Sequence, residues 1–128
     1  MKRIFPTIAV VALLLNGCAT VEFPKSGNPS PYDGKWTGSL PSKSSSCAAM
    51  NLVAKGEVQY GYMIAEVFDG TIKKYDLWGT IAPDGTLKGN IGSAGVTGAT
   101  ANVRFNGNDA NGTWTASQCD GTVALKRL

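Results

Sequence analysis

Few side chains in this 128-residue chain could carry chemistry, and their types and spacing narrow what that chemistry could be. The chain has no histidine, which removes the commonest general base and metal ligand. Its nine acidic residues fall mostly at turns: Asp33, Asp69, Asp84, Asp109 and Asp120. There a carboxylate bonds its own backbone and favours chain reversal, so each reads as a turn residue rather than an acid or base. Glu57 and Glu66, read as flanking one strand on opposite faces, form no carboxylate pair of the kind glycoside hydrolysis needs. A Ser–Lys dyad requires a buried lysine, and Lys43 stands in the serine-rich stretch from Ser42 to Ser46. The loop Asn106-Gly107-Asn108-Asp109-Ala110-Asn111-Gly112 offers oxygen ligands, but Trp114 and Gln118 stand where a calcium loop places its bidentate Glu. Gly92, Gly95 and Gly98, interleaved with Ser93 and Thr97, lack the Lys-Ser/Thr ending of a phosphate loop and read as a mobile loop or an irregular edge. No enzyme, cofactor or metal site is expected.

What remains is recognition by exposed aromatics. If Leu77 and Gly79 point inward, Trp78 points outward, near Lys88 and Asn90 of a neighbouring strand. An outward tryptophan beside polar groups resembles a recognition hot spot. Tyr75, with Tyr60 and Tyr62, would extend that patch. The alternative is that Trp78 caps a rim or packs under a loop.

These residues need a frame, and the frame is β. Turn pairs recur at Asp33-Gly34, Asp69-Gly70, Asp84-Gly85, Asn106-Gly107, Asn111-Gly112 and Asp120-Gly121, each able to supply a positive φ. Between them run short segments rich in Val, Ile, Thr, Tyr and Trp, with no sustained helical period. Trp36, Gly38 and Leu40 share one face. Leu77, Gly79 and Ile81 meet Leu87, Gly89 and Ile91 across Pro83-Asp84-Gly85, which is the clearest hairpin. Ala101, Val103 and Phe105 line another face, as do Trp114 with Ala116, and Val123 with Leu125 and Arg127. The segment from Val58 to Phe68 is apolar on both faces and leaves its inside open. The expected fold is all-β: a small antiparallel up-and-down β-barrel of about 7–8 strands over residues 32–128, closure being the way to abolish exposed edges. A β-sandwich of the same strands is the alternative.

The N-terminus predicts where such a domain would live. Lys2 and Arg3 precede an apolar run over residues 4–15, too short for the roughly 20 residues a bilayer span requires. That is the layout of an export signal. Residues 19–31 follow, with Pro24, Gly27, Asn28, Pro29 and Pro31 and no apolar period, and read as a flexible tether. Removing Lys2 and Arg3 leaves ten basic and nine acidic residues, scattered without a stripe, so no nucleic-acid partner is expected. In an exported protein Cys47 and Cys119 are expected to pair, the alternative being two buried free thiols.

Two resemblances add to this. Leu15-Asn16-Gly17-Cys18 resembles the lipobox of bacterial lipoproteins. The resemblance implies cleavage before Cys18 (residues 1–17 signal peptide, residues 18–31 lipidated tether), a diacylglyceryl thioether on Cys18, and membrane attachment through acyl chains. Ala19, in place of Asp after the cysteine, resembles an outer-membrane sorting signal. An ordinary secretory signal cleaved near Ala19 is the competing interpretation. Gly34-Lys35-Trp36 resembles the Gly-x-Trp signature of the calycins, in which the Trp closes one barrel end and a late basic residue packs over it; Arg127 stands where that residue would be. The same triplet occurs in small barrel inhibitors of bacterial metalloproteases. Together these imply a lipid-anchored lipoprotein of the cell envelope, at the outer membrane, carrying a small β-barrel binding domain for an envelope protein or protease. Protease inhibition is one version. A structural envelope component without ligand and a lipocalin-like small-molecule binder are the others.

Overall fold

The structure, a computed structural model, describes residues 21–43, 51–93 and 95–128. Eight antiparallel strands close into a barrel in which every strand pairs with its neighbours in sequence and β1 pairs with β8. They are β1 (Gly34–Ser39), β2 (Leu52–Gln59), β3 (Tyr62–Asp69), β4 (Ile72–Thr80), β5 (Thr86–Ser93), β6 (Val96–Asn106), β7 (Asp109–Thr115) and β8 (Asp120–Arg127). The all-β expectation holds, and closure decides against the sandwich. The physical reason is the β1–β8 seam: Trp36 faces Arg127 and Gly38 faces Leu125, and a bridge between Ser42 and Gly121 continues the same register past Pro41. Among the described strands no sheet edge is left open.

Alternation along each strand sorts side chains in or out. Trp36, Leu40, Val58, Met63, Val67, Leu77, Leu87, Phe105 and Val123 are fully buried in one core. Outward positions carry Lys55, Glu66, Lys73, Lys88, Arg104 and Lys126. An apolar inside and a charged outside is the reverse of a membrane-spanning barrel, whose apolar band faces lipid. Interior glycines let the strands coil this tightly: a Cβ on Gly38 would strike the Ala124 carbonyl, and one on Gly112 the Asn102 carbonyl.

Several turns differ from expectation. Tyr60 and Gly61, both at positive φ (53° and 73°), form a two-residue hairpin between β2 and β3, so the segment from Val58 to Phe68 is two strands rather than one. Glu57 and Glu66 accordingly lie on different strands, both on the outer surface, opposite Ile64 and Lys55. Asn111-Gly112 sits inside β7 and Asp120-Gly121 opens β8, so neither pair is a turn. The turn is Gly107-Asn108, with Gly107 at φ 64°. Gly92 pairs within the β5–β6 ladder and Gly98 is the bulged residue of β6, so neither is in a loop, while the ladder is irregular there; Gly95, at φ 78°, lies in the turn.

Candidate functional site

The two barrel ends are built differently. At one end the chain plugs itself. The Trp36 ring meets Phe105 edge-on, with centroids 4.9 Å apart, and Phe105 in turn meets Tyr32 at 5.6 Å. Trp36 Nε1 donates to the Tyr32 carbonyl at 2.9 Å. The Arg127 guanidinium lies 5.1 Å over the Trp36 ring. Its Nη1 donates to the Asp33 carbonyl (2.7 Å), Nη2 to the carbonyls of Pro31 (2.9 Å) and Gly107 (3.0 Å), and Nε to Asn108 Oδ1 (3.0 Å). Asp33 completes the seal: its carboxylate accepts the backbone N–H groups of Ser30, Tyr60 and Gly61. So the last residues before β1 are stitched to the β2–β3 and β6–β7 turns. The structure brings together Trp36 and Arg127, the two residues expected to close the barrel.

Among the described residues the opposite end is hollow. A cavity of about 350 Å³ opens there, lined by Leu40, Leu52, Val67, Ile91, Ala99 and Ala116 with the rings of Tyr75 and Trp114. This lies within the range of small-ligand sites, at its lower end, and about what an eight-stranded barrel can hold. Two register shifts flank it. In the β3–β4 pair the shift falls at Val67/Phe68, opposite Lys74, and in the β5–β6 pair at Ile91/Gly92, opposite Gly98. Bulges bend a strand outward and re-aim its side chains, and they collect at barrel rims. Here they lie beside Tyr75 and Ile91, two of the residues that line the cavity. Cys119 also lines the cavity and is disulfide-bonded. Cys47 and Cys18 lie outside the described residues.

The expected aromatic patch divides. Trp78 does take the outward register, opposite Ile64 and Asn90, yet it is only 9% exposed and stands apart from the core cluster. It is a covered residue, not an exposed hot spot. Asn90 is engaged, accepting from Thr97 Oγ1 at 3.2 Å. Lys88 is exposed two residues along. Tyr75 is on the other side of the sheet: it shares the inward face with Leu77 and lines the cavity. Of the neighbouring tyrosines, Tyr60 is exposed in its turn, and burial pushes the Tyr62 phenol above its ordinary range on the outer surface.

The cavity escaped the sequence. Its nearest signal is the close spacing of Gly92, Gly95 and Gly98, which marks a bulged hairpin rather than a loose loop. Among the described residues no group of three or more potential metal ligands gathers, and no cation or carboxylate lines the cavity. Compared with protein-family models, with curated proteins and with solved structures, the chain matches none.

Proposed function

We propose that this chain is a non-enzymatic, lipid-anchored lipoprotein of the bacterial cell envelope whose barrel holds a small apolar molecule in its open end. One observation carries the binding part: an apolar cavity of about 350 Å³ sits between two bulges, at the end opposite a plug built from Trp36, Phe105 and Arg127. The anchoring part rests on the N-terminal pattern from Lys2 to Cys18 and stands independently of the cavity.

Protease inhibition through the tether draws less support. The carbonyls of Pro31 and Asp33 are held by Arg127, so the residues next to β1 are not free to enter a cleft.

Binding is tested with the purified protein and the neutral fluorescent probe N-phenyl-1-naphthylamine. A saturable 1:1 enhancement is expected, lost in Ala116→Trp, a replacement that fills the cavity, while the far-UV spectrum stays β. No enhancement at any probe concentration ends the binding proposal. Anchoring is tested by Cys18→Ser, which should release the protein from membranes and remove its acyl mass.

A further inference from the structure

The cavity wall also carries information about the chemistry of its occupant, an inference that rests on the binding proposal above. Among the described residues the wall is largely apolar and without charge: Leu40, Leu52, Val67 and Ile91 line it, and no lysine, arginine, aspartate or glutamate contributes. Burying an ion there would leave it unpaired, which is costly. The polar groups at the rim are mostly spent. Ser93 Oγ donates to the Lys74 carbonyl at 3.5 Å, and Thr97 Oγ1 donates to Asn90. Trp114 supplies its ring, but its Nε1 is shut off from solvent against Gly121 and offers a ligand no handle.

Tyr75 is different. It points inward from β4, one residue beyond the bulge at Lys74, and is packed against the core while half-exposed to the cavity. Among the described residues its hydroxyl has no hydrogen-bond partner, and it is not among the buried unsatisfied groups, so it reaches open space. A phenol held at the wall of an apolar cavity with its own hydrogen bond unmade is a recognition group: a few placed polar groups in an apolar pocket are what orient a ligand.

We infer that the ligand is a small, uncharged, largely apolar molecule bearing one hydrogen-bonding oxygen or nitrogen, and that the Tyr75 hydroxyl is the specificity-determining contact for that group. An anion is refused for want of a cation. A plain hydrocarbon is accepted, but without the polar bond.

Three probes of one shape test this by displacement of N-phenyl-1-naphthylamine from the full protein at neutral pH: naphthalene, 2-naphthol and 2-naphthoate. 2-Naphthol is expected to bind about three- to tenfold more tightly than naphthalene, the net worth of one hydrogen bond. 2-Naphthoate should be the weakest. Tyr75→Phe should erase the 2-naphthol advantage over naphthalene, with an unchanged far-UV spectrum showing that the variant is folded. If naphthalene and 2-naphthol bind equally, if the advantage survives Tyr75→Phe, or if 2-naphthoate binds best, the inference is wrong while the cavity remains a binding site. If no probe displaces the dye and the dye itself does not bind, the binding proposal falls with it.

Discussion

Arg127 makes four hydrogen bonds and one ring contact, and the partners are carbonyls, an amide and an indole rather than carboxylates. Such a set needs a planar fork of donors, which lysine does not have. Arg127→Lys should therefore destabilise the barrel by about 2–3 kcal/mol, nearly as much as Arg127→Ala, as read from urea unfolding at neutral pH. A lysine variant close to wild type would mean that charge, not geometry, holds the plug. The sequence placed Arg127 near Trp36 through resemblance, and alternation put both on the inner face. Tyr75 was equally legible. It shares parity with Leu77 and Gly79, so period two puts it inside, and grouping it with Trp78 set aromatic character above alternation. The 9% exposure of Trp78 had no such signal, since register fixes the face of a side chain but not what lies over it.

At the scale of elements, strand identity was readable wherever Gly or Pro punctuated the chain, and unreadable where a turn used neither in the usual way. The β2–β3 hairpin turns on Tyr60 at φ 53°, a conformation bulky residues seldom adopt, and it was invisible for that reason. Asp33 compensates by bonding the N–H groups of both turn residues from a neighbouring segment, a long-range cause no local rule contains. Glycines make the opposite lesson quantitative. Gly38 faces the Ala124 carbonyl with no room for a Cβ, whereas Gly70 sits at φ 66° in open space. Gly38→Ala should cost about 3 kcal/mol or more by forcing the β1–β8 seam apart, and Gly70→Ala only about 1 kcal/mol of backbone strain. Thermal midpoints of the two variants give the comparison, and equal losses would show that the seam yields easily. The β4–β5 turn adds a pH dependence. The backbone N–H of Thr86 bonds Asp84 and holds its carboxyl below the usual range. A depressed folded pKa contributes stability that is full above the ordinary Asp value of about 3.9 and is lost as pH falls through the folded value. Midpoints measured downward from pH 5 should fall less steeply for Asp84→Asn than for wild type; identical slopes would assign the acid limb to other carboxylates.

Over the whole molecule the two ends divide the work. The segment before β1 enters the barrel at the sealed end, where Pro31 and Asp33 are held by Arg127, and the cavity lies at the far end. The covalent link at the mouth is the remaining element of this design. Cys119 is disulfide-bonded in the cavity wall, and its proposed partner is Cys47 in the β1–β2 connection. That bridge would close a loop of about 70 residues and contribute roughly 4 kcal/mol in the chain-entropy account. Cys47→Ser, Cys119→Ser and the double variant should therefore lower the urea midpoint by the same amount, because each removes the same single bond. They should also weaken dye binding, since the wall loses its tie to the β1–β2 connection. If Cys47→Ser leaves stability unchanged while Cys119→Ser lowers it, the partner of Cys119 is Cys18. A sulfur held in a disulfide cannot also carry a diacylglyceryl thioether, so that one result would overturn the lipid anchor and the pairing together.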